Sequence, residues 1–523
     1  MKKFFKIFLG RFLWVGLILL IELTLIILTL TVFRGVLEAI NDWLYLIETT
    51  LLGLLDIIVM IYIVNSRANS AYKISWLFIV GLLPFFGTVL YLMFGNKNTT
   101  KRMKKKIAPL HAATKETKTS PRIIQELEED RDGMAALDIA NYINRESGSS
   151  LYDHTESHYF KNGEDVWKTM IEELKKAKHY IFLEYFIIEK GQFWNSIVDV
   201  LHEKAREGVD VRVMYDDVGS ITTLPTNYPE QLRKLGIKCT AYNRLKPFVN
   251  IKLNNRDHRK ILVIDGTVGF TGGINLADEY MNLIVRFGYW KDNALMIKGR
   301  GVYGLTMLFL QNWVAANGGF EELSDTKYLA NNYNPTFDYE NDGYVQPYGD
   351  LPFGDEAVGE TVYLKLISSA KKYCYITTPY LIIDEEMENT LMAKAKSGVN
   401  VTLVVPHIPD KKMVFNVTRS YYGKLLEAGV HIYEYTPGFI HEKIFIVDDV
   451  MATVGTINLD YRSLYLHLEN GVFIYKASII KDMVEDYLDT LSKSEEITLE
   501  RYRRLKKGKT ALWALLRVAA PLM

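Results

Sequence analysis

One pattern occurs twice in this chain: HRKILVID-GTVGFT-GGIN and, further on, HEKIFIVD-DVMATV-GTIN. Each copy reads H-x-K-x-x-x-x-D and then, after six residues, G-[GT]-x-N. The residues are His258, Lys260, Asp265, Gly272 and Asn275, then His441, Lys443, Asp448, Gly455 and Asn458. The segments upstream repeat as well. The run IFLEYFII, a helical stretch and VDVRVMY return as CYITTPYLII, a helical stretch and VNVTLVVPH, while Gly208 matches Gly398 and Gly236 matches Gly429. A repeat of about 180 to 190 residues is a duplicated domain rather than a solenoid unit. The alternation of helical and strand patterns predicts an α/β fold. Two similar halves, 136–325 and 326–495, are expected to face a shared cleft.

Side chains two apart on a strand share a face, so His and Lys of each copy point the same way. Doubled, that face offers two imidazoles, two ammonium groups and two asparagine amides, a set that suits a phosphodiester. One imidazole can attack phosphorus while the other protonates the leaving oxygen. The expected catalytic set is His258, Lys260, Asp265, His441, Lys443 and Asp448; of these, Asp265 and Asp448 fix local structure at a strand end. Asn275 and Asn458 join the two lysines as phosphate donors. An oriented imidazole also needs an acceptor for its other nitrogen. Asp292 in YWKDNALMIKG and Glu469 in LHLENGVFIYK precede matching strands and are the candidate orienting carboxylates. The other eight histidines, at 111, 154, 158, 179, 202, 407, 431 and 467, read as surface or satisfied core residues.

Sixty-two Lys and Arg balance sixty-two Asp and Glu, so the chain lacks the charge of a general nucleic-acid binder. Cys239 and Cys374 lie apart in apolar runs and read as reduced core thiols, not as a disulfide or a CxxC metal site. Asp216 and Asp217 are adjacent on a strand and so face opposite ways, which suits a structural or rim role better than a metal pair. No P-loop is present, and DGMAALDIA lacks the rest of the CDP-alcohol transferase pattern.

With 49% hydrophobic residues and mean hydropathy near zero, part of the chain is expected in lipid. Residues 12–33 are apolar except for Glu22 and are long enough to cross a core of about 30 Å. A second run covers about 49–64 and contains Asp56; a third covers 74–94 with Pro84 and Gly87 at its centre, so that it spans with a kink or re-enters. Three full crossings would place the basic residues at 2–11 and at 97–106 on opposite faces, against the positive-inside tendency. Glu22, Glu48 and Asp56 are costly facing lipid and suit a helix contact or the interface. Residues 1–95 are thus a membrane region and 96–135 a polar basic tether. Residues 496–523 form a basic-apolar tail, too short to span but suited to an anionic surface.

These residues resemble the HKD motifs of the phospholipase D superfamily, and more closely its bacterial cardiolipin synthases. The resemblance includes the membrane segment NSRANSAYKISWLFIVGLLPFFGTVLYLMFG, the strand FLEYFII, RDHRKILVIDG, PGFIHEKIFIVDD and GTINLDYRSLYLHLEN. It implies two phospholipase D-like α/β subdomains behind a transmembrane region. It also implies transfer of a phosphatidyl group from one phosphatidylglycerol to another, giving cardiolipin and glycerol. His258 would carry the phosphatidyl-histidine and His441 would serve as acid, then base; the reverse assignment stays open. Neither nucleotide nor metal is required, and the partners are phosphatidylglycerol and cardiolipin rather than nucleic acid, with a homo-oligomer left open. The expected location is the cell membrane, multi-pass, with the catalytic domain on the cytoplasmic face. A phospholipase D using water, or a transferase using another alcohol, fits the same motifs; a non-enzymatic membrane scaffold is the rival from another class.

Overall fold

Short runs rich in Val, Ile, Tyr and Phe, broken by Gly, Asn and Asp, build two sheets of one design. The computed structural model describes residues 24, 28, 31, 32, 34–36, 39–95, 118–244, 255–319, 339, 341–352 and 356–522. The first half supplies β1 (Thr155–Phe160), β2 (Tyr180–Tyr185), β3 (Asp210–Asp216), β4 (Lys238–Tyr242), β5 (Lys260–Ile264), β6 (Val268–Gly272), β7 (Tyr289–Lys291) and β8 (Ala294–Gly299). The second supplies β9 (Tyr344–Asp350), β10 (Tyr373–Thr377), β11 (Asn400–Pro406), β12 (His431–Tyr435), β13 (Gly438–Ile440), β14 (Ile444–Val447), β15 (Met451–Gly455), β16 (Glu469–Tyr475) and β17 (Ser494–Glu496).

The strand orders are β1-β8-β6-β5-β2-β3-β4 and β9-β16-β15-β14-β10-β11-β12, the second sheet adding β17 at its edge. In both, the three strands at one end are parallel and the rest antiparallel, so the duplication extends to register. Helices Gln192–Arg206 and Glu385–Lys396 make equivalent crossovers between parallel strands. Helix Val302–Asn317 is buried along almost its whole length, and its Leu305 and Phe309 share one apolar layer with Leu295 of the first half and Val472 and Ile474 of the second. Each such side chain stabilises the closed arrangement by about 1.5–3 kcal/mol relative to exposure, so the halves form one body.

Two strand contacts cross between the halves. β13, which leads into His441, pairs with β7, which leads into Asp292. Asp257 bridges to Leu468, so the segment entering His258 lies beside the one entering Glu469.

Helix Asp42–Asn65, long and apolar enough to cross a membrane, starts at Asn41, whose side chain accepts from the Trp43 N–H. The third apolar run is broken at Pro84 into Ser70–Leu82 and a helix from Phe86 that ends in the π-helical turn Tyr91–Gly95. Thirteen residues rise only about 20 Å, so neither piece crosses alone. The run folds back on the long helix, with Trp76, Val80 and Tyr91 against Val59 and Ile63. Asp56 accepts from the Phe85 N–H and Thr88 Oγ1, which answers its cost in lipid by satisfying donors the break exposes. Gly87 lets the return pack close, since a Cβ there would lie 2.5 Å from the Ile79 carbonyl oxygen. Glu48 lies 4.0 Å from Arg34. Most of 12–33, Glu22, the basic residues at 2–11 and 97–106, and His111 lie outside the described residues.

Two boundaries differ from the sequence reading. The segment taken as tether through 135 is helical from Pro121, and the helices Pro121–Glu129 and Gly133–Ser147 bury Ile123, Leu127, Ile139 and Ile143 in the core of the second half. Their apolar spacing outweighs their charge content, so residues 136–147, assigned to the first half, pack with the second. The tail is two helices, Leu499–Lys506 and Thr510–Ala519, rather than one lying on a surface. Trp513 is buried with its Nε1 3.2 Å from Asn416 Oδ1, and Val518 O accepts from Ser75 Oγ at 2.6 Å, so the tail clamps the membrane helices to the second half. Leu512 and Leu515 stay exposed on its outer side.

Candidate active site

The strand crossings decide how the site is built. His258 donates its backbone N–H to Leu468 O at 2.9 Å, and His441 donates to Lys291 O at 2.7 Å. Each imidazole therefore meets the carboxylate of the other half. His258 Nδ1 is 2.9 Å from both oxygens of Glu469, and His441 Nδ1 is 2.7 Å from Asp292 Oδ2. Both carboxylates are fully buried, and both histidines are 7% exposed, which leaves each ring one accessible edge.

Aromatic rings keep the pair dry. Phe186 meets His258 edge-on at 4.8 Å between centroids, and Tyr280 and Trp290 each stand 5.7 Å from His441. Burial lowers the His258 pKa to about 3 against the pull of Glu469, and burial with Lys443 and Lys260 lowers that of His441 strongly. Both rings are neutral at pH 7 in the free site, the form a nucleophile needs, and the ring that serves as acid takes up its proton as the anionic phosphate binds beside it.

The two carboxylates are not equivalent. Burial raises Glu469, but His258 and the hydrogen bonds to it prevail, and its pKa falls well below the usual range. Burial raises Asp292 to about 7, with Lys443 opposing. The two sites also differ at one residue: Thr456 donates to Glu469 Oε2, whereas the matching residue is Gly273, where a Cβ would lie 2.0 Å from Asp292 Oδ1.

Lys260 Nζ donates to His258 O at 2.6 Å, and Lys443 Nζ donates to His441 O and stands 2.9 Å from His441 Nδ1. Both ammonium groups are buried, and each feels Glu469 and Asp292, so they belong to one charge cluster. Burial lowers Lys260 to about 7 and Lys443 to about 8. A lysine is charged below its pKa, so phosphate binding to the free protein weakens as pH rises through these values. The expected result is an alkaline limb in kcat/KM between about pH 7 and 8, displaced upward in kcat because bound phosphate holds the protons on; a pH–rate series checks it.

Asp265 and Asp448 lie at the far ends of β5 and β14, five residues past Lys260 and Lys443 and so about 17 Å from them by strand rise. Asp265 accepts from the backbone N–H groups of Lys178, His179 and Tyr180, and Asp448 from those of Lys371, Lys372 and Tyr373. Each closes its turn with positive φ, 51° and 53°. Replacing Asp265 with Ala should cost about 2–4 kcal/mol in a denaturant titration while the folded fraction keeps its kcat within a few-fold.

Asn275 Oδ1 accepts from the Ile187 N–H and its Nδ2 donates to Tyr280 Oη at 2.7 Å, which leaves one amide hydrogen for a ligand. Asn458 is buried, and its Oδ1 has no hydrogen-bond partner among the described residues. Asp216 is structural in its contacts: it accepts from the Val218, Gly219 and Asp257 N–H groups and faces Arg256, which positions the loop entering His258. Cys239 and Cys374 are free and buried.

One neighbour departs from the expectation of an ordinary surface or core histidine. The His467 ring lies 5.6 Å from that of His258, and His258, His467 and Glu469 are a set whose ligand atoms lie within 4.8 Å of one another. An ion there would compete with the Glu469 hydrogen bond to His258. The available signal was the repeat, because His467 stands two residues before Glu469 as Trp290 stands two before Asp292.

Comparison with known proteins agrees with this geometry. The family profile described as "Cardiolipin synthase, PLD-like domain" matches residues 170–300 and 363–491, and "Phospholipase_D-nuclease N-terminal" matches 54–96. A cardiolipin synthase of Alkalihalophilus pseudofirmus is 34% identical over 501 residues, covering 95% of this chain and 98% of that protein. One from a Geobacillus species is 36% identical over 486 residues, covering 91% and 95%. An uncharacterized protein of Streptococcus mutans is 42% identical over 468 residues, covering 89% and 99%. Among solved structures, phosphatidylserine synthase of Haemophilus influenzae has the same fold, with TM-score 0.54 and 14% identity over 74% of this chain and 100% of that one. With relatives this similar along nearly the whole chain, and two HKD motifs joined in one site, the chain belongs to the cardiolipin synthase family of phospholipase D-like proteins.

Proposed function

We propose that this chain is a phosphatidyltransferase that makes cardiolipin and glycerol from two phosphatidylglycerol molecules. The observation that carries the mechanism is the crossed pairing of two buried imidazoles with two unlike carboxylates, beside two buried lysines. Glu469 stays ionised, so His258 keeps its proton on Nδ1 and presents the Nε2 lone pair. His258 Nε2 attacks phosphorus of the first lipid, the bond from phosphorus to the glycerol oxygen breaks, and His441 gives that oxygen its proton. A headgroup hydroxyl of the second lipid then attacks phosphorus, the phosphorus–nitrogen bond breaks, and the hydroxyl proton passes to His441.

Asp292, poised near 7, suits a ring that alternates between acid and base. Lys260 and Lys443, with the free amide hydrogens of Asn275 and Asn458, hold the phosphate oxygens. One phosphodiester replaces another, so the reaction needs no nucleotide. The chemistry assigned to these side chains needs no metal.

The broken third run supports a topology in which residues 12–33 and Asp42–Asn65 cross and Ser70–Gly95 re-enters. Both basic segments then share one face, which the positive-inside tendency makes cytoplasmic together with the catalytic body. Labelling of that body in intact cells by an impermeant lysine reagent would refute this orientation.

The deciding experiment uses the purified full chain in liposomes whose only reactive lipid is phosphatidylglycerol, with a chelator and no nucleotide, and products read by mass spectrometry. Cardiolipin with equimolar glycerol is expected; phosphatidic acid alone would make water the acceptor, and loss of rate on chelation would overturn the metal-free mechanism.

A further inference from the structure

Between the membrane helices and the second half lies a cavity of about 1090 Å³. It is large enough for a lipid headgroup, by comparison with ligand pockets of about 300–1,000 Å³. Its lining runs from the turn joining the two membrane helices to His467. On the body side Tyr465 Oη donates to Glu360 at 2.6 Å and stands 3.2 Å from Asp384 Oδ2. Arg67 and Lys73 line it from the membrane helices.

These walls have different uses. Burial and the nearby Asp384 raise Glu360 to about 8, so this patch is a cluster of carboxyl and hydroxyl groups that exchanges hydrogen bonds with alcohols and disfavours a phosphate. The positive charge suited to a lipid phosphate comes from Arg67 and Lys73 on the membrane side.

His467 ends the cavity next to His258. Its Nδ1 and Nε2 have no hydrogen-bond partner among the described residues, although both atoms are buried, and its Nδ1 is 3.7 Å from Glu469 Oε1. Buried nitrogens without partners are costly, so such a ring is poised for a ligand. The duplication sharpens the point. The matching residue, Trp290, stands 5.7 Å from His441 with its Nε1 likewise buried without a partner, but an indole N–H can only donate, whereas the ring 5.6 Å from His258 can accept as well.

We infer that this cavity is the acceptor-lipid site and that His467 positions a glycerol-type headgroup by accepting a hydrogen bond from one hydroxyl while the other attacks phosphorus. This rests on the transfer reaction proposed above. The lipid phosphate stays at Arg67 and Lys73, and the diol passes the Glu360–Asp384–Tyr465 wall. In the transfer step the attacking oxygen bonds to phosphorus, the bond from phosphorus to His258 Nε2 breaks, and the proton goes to His441. His467 is a positioning residue for the headgroup, and a one-hydroxyl acceptor has no use for it.

The test supplies phosphatidylglycerol liposomes with ethanol, so that cardiolipin and phosphatidylethanol form from the same phosphatidyl-enzyme and their ratio reports acceptor choice alone. His467→Phe should lower that ratio at least tenfold with phosphatidylethanol formation kept within a few-fold. Ala68→Trp, which fills the cavity away from His258, should lower it in the same sense. An unchanged ratio in His467→Phe, or equal loss of both products, would mean that His467 only packs against His258 and would overturn the inference. An unchanged ratio in folded Ala68→Trp would overturn the cavity as the entry route. Absence of cardiolipin from the unaltered protein would instead refute the transfer reaction itself.

Discussion

Replacing His258 with Ala is expected to lower cardiolipin formation at least about 10⁴-fold, and replacing His441 with Ala is expected to do nearly the same. The double substitution should be little worse than either. A loss of that size corresponds to about 5 kcal/mol of transition-state stabilisation. Two independent sites would instead give single variants with about half the activity. The structure favours one shared site because neither half is complete: His258 depends on Glu469 of the second half, and His441 on Asp292 of the first. Residues that act as a unit are non-additive, since once the nucleophile is gone the acid has no leaving group to protonate. Initial rates on mixed liposomes, with circular dichroism to establish that each variant is folded, measure this. Two modest, additive losses would refute the shared site.

Much of this arrangement was legible in the repeated pattern. The H-x-K spacing put both functional groups on one strand face, and the matched Asp265 and Asp448 pointed to strand ends, where each now binds three backbone N–H groups. The strand alternation and Gly landmarks likewise predicted two α/β units of one design, which the two strand orders display. What the sequence left open was which carboxylate serves which imidazole. A repeat describes each half internally, whereas the pairings of β7 with β13 and of Asp257 with Leu468 are contacts between halves that no local pattern encodes. For the same reason the helices at 121–147 looked like tether and first-half material, although their apolar faces are buried in the second half. His467 was passed over because a single histidine carries little information until its ring is seen beside His258.

The crossing predicts a division of labour that a change of leaving group exposes. Glu469→Gln should lower turnover of phosphatidylglycerol about 10²–10⁴-fold, and Asp292→Asn should also be severely impaired, because each removes the charge that holds an imidazole in its working tautomer. The natural substrate therefore barely separates the two variants. A phosphatidyl ester of p-nitrophenol does, because nitrophenolate leaves without protonation and the first step then needs the nucleophile but not the acid. With that ester, Asp292→Asn and His441→Ala should recover a burst of nitrophenolate approaching one per site, followed by slow turnover as the second step waits for a base. Glu469→Gln and His258→Ala should show no burst. The outcome turns on geometry: were each carboxylate to serve the imidazole of its own half, Asp292→Asn would cripple His258 and lose the burst, while Glu469→Gln would keep it. Stopped-flow absorbance resolves the two patterns. The crossed one is expected because the 2.9 Å contact of His258 with Glu469 and the 2.7 Å contact of His441 with Asp292 both span the interface between halves.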